Sequence, residues 1–407
     1  MKKTVKIISL IFVLSLLTLS LSSCFLYDTA SDLSGSNKGD TTINVSDVNN
    51  HQITVNSTRG DSEVAASKAL MSSVSVVTDS SLGSGVIFKM SEDKGTAYIL
   101  TNYHVIYDPN TDSYNKNISV YLYGMESYRE LSADENKQYD YTIRADFVGG
   151  SVQYDLAVLK VVGSEVLMKS NAIACTFADS DEVAVLQTAI AVGNAVGSGI
   201  SVTMGKINVT SEYIDLLAAD NKTIIKDIRV MRTDATVNSG NSGGGLFDGK
   251  GDLIGIVNSK EASSSIENIG YAIPSNVVKY MAENILYYCD GKKDFSAYKC
   301  RLGVSVTPIA LYTEYDQETG LLTRKETIEV LDIESGSAAE GILKKGDVLN
   351  SVTIDGKTYK ITRLYHIVDA MLNARVNSTV VINLTRGTET LDLTVPIPES
   401  AKVNVDS

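Results

Sequence analysis

The sequence predicts a mostly β protein, with two folded bodies behind an apolar leader, and three observations carry that expectation. Short β-branched and apolar runs recur between about residues 63 and 290, parted by Gly, Asn and Asp, at a density that suits a sandwich or a pair of barrels. A second, shorter series of such runs with one amphipathic helix fills the last hundred residues, the mixture of an α+β module. The chain has 407 residues, which leaves room for two or three domains at about 150 residues each. It is 43% hydrophobic and 21% charged, so it can bury cores and is not of the disordered class.

The charge balance excludes some functions. With Lys plus Arg at 36 against Asp plus Glu at 49, the net charge is −13, the wrong sign for a protein that tracks nucleic-acid phosphates. Three His and 4 Cys without close Cys pairs exclude a zinc ribbon or a disulfide-dense scaffold.

Lys2, Lys3 and Lys6 precede the apolar run Ile7 to Leu21, and Ser22, Ser23 and Cys24 follow it. A positive flank, a short apolar core and small residues make a secretory signal over residues 1–23. The string Leu21-Ser-Ser-Cys24 resembles the lipobox of bacterial lipoproteins, which implies lipidation of Cys24 and a lipid-anchored protein outside the cytoplasm. Residues 24–62 are rich in Ser, Asp, Asn, Thr and Gly and read as a disordered tether.

The first body spans residues 63–290. Ser62 to Ser73 is expected as a short helix, and Val277 to Tyr288 has apolar residues at helical spacing and closes the body. Strands are expected between them, among them Ala97 to Leu100, Leu156 to Val162, Val183 to Val192 and Asp252 to Val257. Three motifs lie on this framework: Leu100-Thr-Asn-Tyr-His104-Val105, Tyr154-Asp155-Leu-Ala-Val-Leu-Lys160, and Ser239-Gly-Asn-Ser242-Gly-Gly-Gly-Leu246. Their order is His, Asp, Ser. A serine hydroxyl is a weak nucleophile and needs a base. An imidazole can take its proton and return it to a leaving amine. A buried carboxylate fixes the imidazole tautomer. The glycines around Ser242 allow a turn whose N–H groups, Gly240 and Ser242 with an assist from Asn241, converge on a developing oxyanion.

These strings, with Gly270-Tyr-Ala-Ile-Pro-Ser-Asn276, resemble the trypsin-like serine proteases of the HtrA/Deg branch. The resemblance implies a double β-barrel with His104 as general base, Asp155 as orienting acid and Ser242 as nucleophile. The S1 wall is expected to involve Thr236, Asn258 and Ile273. Two positions depart from the family, which usually has Pro where Ser239 and Gly245 stand here. Without them the nucleophile loop is expected to be looser.

Residues 291–300 read as a linker. Cys289 and Cys300 are compatible with a disulfide or with two free thiols. Residues 301–398, with Ser337-Ala-Ala-Glu-Gly341 and Lys345-Gly-Asp-Val-Leu349, resemble a Deg-type PDZ domain, and 399–407 are expected as a tail. The resemblance implies that Arg301, Leu302 and Gly303 form the loop holding the carboxylate of a C-terminal peptide, which adds as a strand. His366, near the start of the PDZ helix, reads either as a contact for a Ser or Thr of the ligand, as in some PDZ domains, or as an exposed helix residue, and the second reading is favoured.

The function expected is an extracytoplasmic serine endopeptidase that hydrolyses unfolded or mislocalised proteins through an acyl-enzyme, without metal or cofactor. A homotrimer is implied by resemblance alone. The competing class is a catalytically silent peptide-binding sensor or chaperone on a protease scaffold, favoured by the unusual loop and opposed by the complete triad.

Overall fold

The computed structural model describes residues 60–125, 141–220, 222–258 and 269–406. The signal, Cys24 and nearly all of the tether therefore lie outside the described residues.

Helix α1 (Asp61–Ser72) leads into β1 (Ser73–Val77), β2 (Leu82–Met90) and β3 (Ala97–Thr101). One turn of helix, α2 (Tyr103–Ile106), is followed by the hairpin β4 (Tyr107–Asp108) and β5 (Ser113–Tyr114). Then come β6 (Ile118–Leu122), β7 (Ile143–Ser151) and β8 (Leu156–Val161), and the wall closes in the order β1-β2-β3-β8-β7-β6. The second barrel comprises β9 (Thr188–Gly193), β10 (Ser201–Leu217), β11 (Ile224–Thr233), β12 (Gly245–Phe247), β13 (Leu253–Asn258) and β14 (Gly270–Pro274). It closes as β10-β11-β14-β13-β12-β9. The expected strand Val183 to Val192 is strand only from Thr188, because the preceding residues turn back through Gln187 N–H to Ala184 O.

Continuous apolar strands mark burial on both faces. In β8, Ala157 and Leu159 fill the first barrel, while Leu156 and Val158 face the other way, into a cluster shared with Val192, Phe247 and Ile256 of the second barrel. Helix α3 (Ser275–Cys289) seals that cluster with Val278, Met281 and Ile285, all buried. At about 25 cal/mol per Å² of apolar surface, such side chains each contribute roughly 1.5–3 kcal/mol of transfer free energy.

Beyond α3 lie β15 (Tyr298–Cys300), β16 (Val304–Tyr315), β17 (Leu322–Ile333), β18 (Val348–Ile354), β19 (Lys357–Lys360), α4 (Leu364–Ala370), β20 (Thr379–Arg386), β21 (Glu389–Pro396) and β22 (Lys402–Asn404). The sheet runs β16-β17-β18-β20-β21 with β19 on β18. Its core holds Ile328, Val330, Val352, Val380 and Ile382 against Ile367 and Ala370 of α4.

The structure bears on three of these readings. The linker and the tail carry strand: β22 pairs antiparallel with β15, Lys299 opposite Val403, so both stretches form one small sheet. Cys289 and Cys300 are free and buried thiols. His366 is not an exposed helix residue, because α4 is turned against the second barrel.

That contact is ionic. Arg229 of β11, 7% exposed, donates to Asp369 of α4 and, at 2.8 Å, to Asp181. The Tyr365 ring lies 3.4 Å from its guanidinium carbon, and His366 Nε2 stands 3.7 Å from Asp181. Burial pushes Asp369 up to about 6 in spite of Arg229, and pushes His366 down to about 4 in spite of Asp181. At Arg229 the carboxylates outweigh burial and keep the guanidinium charged, so Asp369 is the member of the pair that titrates. Asn284 of α3, fully buried, adds a neutral tie by donating to Leu372 O at 3.1 Å.

Candidate active site

Strand β3 delivers the first site residue. It ends at Thr101, and Asn102 caps the short helix α2 in extended backbone, which turns His104 back toward β8. Asn102 is fully buried and donates Nδ2 to Asp155 O at 2.8 Å, joining the two motifs directly, while its Oδ1 has no partner among the described residues.

Asp155 occupies a tight turn between β7 and β8. Its φ is +47, a left-handed conformation that a non-glycine residue adopts at a cost of about 1 kcal/mol or more. Its N–H donates to Val152 O at 3.1 Å. The turn aims the carboxylate at His104: Oδ1 accepts the His104 backbone N–H at 3.0 Å, and Oδ2 accepts from ring Nδ1 at 2.7 Å. A carboxylate can only accept, so Nδ1 carries the proton and Nε2 is the free base. The two side chains are 8% and 5% exposed, which shields the pair from solvent screening.

Ser242 comes from the second barrel, on the loop before β12. The loop is held from both barrels. Ser84 of β2 donates Oγ to Gly240 O at 2.7 Å and accepts Asn194 N–H at 2.8 Å, and its own N–H donates to Ser242 O at 2.9 Å. Gly243, at φ +82, stands so close that an added Cβ would meet Ser84 O and Thr101 Oγ1 at 2.3 Å each. Val196 N–H donates to Ser239 O and Gly243 N–H to Val257 O. Backbone and Ser84 hydrogen bonds thus restrain the folded loop without proline at either position.

His104, Ser242, Gly240 and Ser239 line one cavity of about 310 Å³, with Leu82, Tyr107 and Ala219. The Gly240 N–H has no acceptor among the described residues and is available to a ligand. The Asn241 N–H is not, because it donates to Asn238 O at 3.0 Å. The expected assist from Asn241 is therefore spent inside the turn.

A trypsin-like peptidase domain model matches residues 83–256, and a PDZ domain model matches residues 300–397. The chain is 34% identical over 317 residues to a serine protease Do-like HtrA of Lactococcus lactis subsp. lactis (strain IL1403), covering 75% of this chain and 68% of that protein. It belongs to the HtrA serine proteases. A serine protease Do-like HtrA of Lactobacillus helveticus is 30% identical over 324 residues, covering 77% of this chain and 68% of the relative. The HtrA-type protease AlgW with tripeptide superposes with a TM-score of 0.51 at 28% identity, covering 83% of this chain and 96% of that one.

In this HtrA-type endopeptidase none of the three expected S1 residues lines the cavity at Ser242. Thr236 is exposed and its carbonyl accepts from Thr203 Oγ1 at 2.8 Å. Ile273 is 1% exposed and borders a separate cavity of about 330 Å³ on the side of α4. Asn258, also 1% exposed, points at the acid and donates Nδ2 to Asp155 Oδ2 at 2.7 Å. The same oxygen thus receives the imidazole and an amide, a role the sequence reading did not give to Asn258.

The loop of residues 301–303 turns at its glycine. Gly303 has φ +74, and an added Cβ would come within 2.1 Å of Ser337. The N–H groups of Leu302 and Gly303 have no acceptor among the described residues, whereas Arg301 N–H donates to Ala401 O at 2.9 Å. Arg301 therefore anchors the loop, and the other two amides are available to a ligand.

Proposed function

We propose that this HtrA-type serine endopeptidase cleaves unfolded or mislocalised proteins outside the cytoplasm through Ser242, His104 and Asp155. Ser242 Oγ attacks the scissile carbonyl carbon as its proton passes to His104 Nε2. The C–N bond then breaks, the proton leaves on the amine, and an acyl-enzyme remains. Water, deprotonated by the same nitrogen, hydrolyses the ester and returns the proton to Ser242. The Gly240 and Ser242 N–H groups stabilise the oxyanion in both halves. Leu302 and Gly303 bind the carboxylate of C-terminal peptides, which recruits substrate or biases the protease. A lipid on Cys24 anchors the chain to the membrane, and three copies assemble.

The observation that carries the reading is the 2.7 Å bond from His104 Nδ1 to Asp155 Oδ2 in the cavity that Ser242 also lines. Fluorophosphonate labelling tests it. Wild type should label and digest an unfolded protein such as reduced casein, and Ser242→Ala should do neither. An unlabelled wild type, with peptide present, would favour the silent sensor.

A further inference from the structure

Asp406 lies after the PDZ domain, far in sequence from the catalytic motifs, yet it binds the turn that carries Asp155. Its Oδ1 accepts the Ser151 hydroxyl at 2.6 Å and the Gln153 N–H at 2.9 Å, and its Oδ2 accepts the Val152 N–H at 3.2 Å. Ser151 Oγ in turn accepts the Tyr154 N–H at 3.2 Å. Three consecutive residues before Asp155 are thus fixed by one carboxylate, and the fourth is fixed through the hydroxyl that the carboxylate orients. Asp406 is itself exposed, but Ser151 is fully buried.

Asp406 is held firmly enough to act as a fixture. Its N–H donates to Asn404 Oδ1 at 2.8 Å, and Val405, 1% exposed, packs among Leu156, Val158 and Val277. Val405 N–H donates to Ala297 O at 3.1 Å, continuing the β15–β22 pairing. The turn it grips ends in a residue with strained backbone, Asp155 at φ +47, which persists only where its surroundings over-determine it. No other carboxylate among the described residues bonds to residues 151–153.

We infer that Asp406 is a positioning residue for catalysis, holding the Ser151–Tyr154 turn so that Asp155 keeps its carboxylate on His104. The inference rests on the reading of Asp155 as the orienting acid. It makes the segment after the PDZ domain part of the support of the triad. A turn released by loss of these bonds lets Asp155 relax toward ordinary backbone angles, and misplacement of about 1 Å in such a group costs up to a hundredfold in rate.

The test uses the full chain with a short peptide substrate. Asp406→Ala is expected to lower kcat about tenfold or more while leaving KM within about twofold. Asp406→Asn keeps the oxygen that serves Ser151 and Gln153 but sets an amide donor against Val152 N–H, so its loss should be intermediate. It also carries the test if Asp406→Ala does not fold. Glu399→Ala, an acid on the same segment whose carboxylate accepts from Lys402, should retain wild-type kcat. The low-field proton signal of His104 Nδ1–H, identified by its absence in His104→Ala, should broaden or move in Asp406→Ala and not in Glu399→Ala. An unchanged kcat, an equal loss in Glu399→Ala, or a loss with the low-field signal unmoved would overturn the inference. Failure of the triad reading is distinguishable, since Ser242→Ala would then retain activity.

Discussion

Replacing Arg229 by Met tests how the PDZ domain is fastened to the protease. The side chain is 7% exposed, bridges Asp369 and Asp181, and is covered by the Tyr365 ring. Met keeps the aliphatic volume and removes the cation. Asp181 is 30% exposed at its side chain, so its loss of partner costs little. Asp369 bears the effect, because removing one member of a buried pair typically costs about 3–5 kcal/mol. Uptake of a proton caps that cost: with Asp369 already raised to about 6 beside Arg229, neutralising it at pH 7 costs about 1.4 kcal/mol, one pH unit. Arg229→Met should therefore lose roughly 1–2 kcal/mol at pH 7, and most of that deficit should vanish at pH 5, where Asp369 is protonated in wild type as well. The assay is urea unfolding by circular dichroism, with Asp369→Leu and the double variant completing a cycle. The double variant should lie within about 1 kcal/mol of wild type, because two apolar side chains replace both charges. A deficit in Arg229→Met that fails to shrink between pH 7 and pH 5, or single effects that simply add, would refute the reasoning.

Two further outcomes follow from the same geometry. His366, lowered to about 4 by burial, contributes stability that is present above its ordinary value near 6.5 and lost as pH falls toward 4. Asp369, raised to about 6 by burial, contributes stability that is present below 3.8 and lost as pH rises through 6. With Arg229, Asp181, Arg363 and Lys325 as the charges around them, the two slopes oppose between about pH 4 and 6. Relative to wild type, His366→Gln should gain thermal stability on acidification and Asp369→Asn should lose it, and parallel curves for all three proteins would contradict this. Asn258→Leu removes one of two donors on Asp155 Oδ2, and a hydrogen bond to a charged group contributes about 1.5–3 kcal/mol. Peptide kcat should fall about tenfold or more with KM nearly unchanged, and a change confined to KM would return Asn258 to the substrate pocket.

The parts of the site legible in the sequence are those whose chemistry is local. His104, Asp155 and Ser242 sit in strings whose neighbours explain them: an apolar strand end, an acid opening a buried strand, and a glycine turn. The helix at Ser275–Cys289 follows from apolar spacing. What stayed hidden depends on side-chain direction or on distant pairing. Strand β13 is buried at every position, so no alternation tells which way Asn258 points. Arg229 in an apolar strand reads as a solvent-facing charge until α4, about 140 residues later, supplies Asp369. Asp406 lies in a stretch too short and polar to carry a periodic signal. Ser239 and Gly245 suggested slackness because proline is absent, but Ser84, on the other barrel, is what restrains the loop.

Ser84 has a bearing on how the molecule is born. The base and the acid are made with the first barrel, and the nucleophile is made some ninety residues after the acid. Even then the nucleophile loop acquires its shape only when β2 reaches across to grip Gly240 and Ser242. A chain emerging amino end first therefore carries an imidazole with nothing to deprotonate, then a serine with no cradle, and becomes a protease only when both barrels have closed on each other. For an endopeptidase, its own nascent chain is the nearest unfolded polypeptide. Splitting the site across the barrel seam keeps the blade sheathed until the protease body itself has folded.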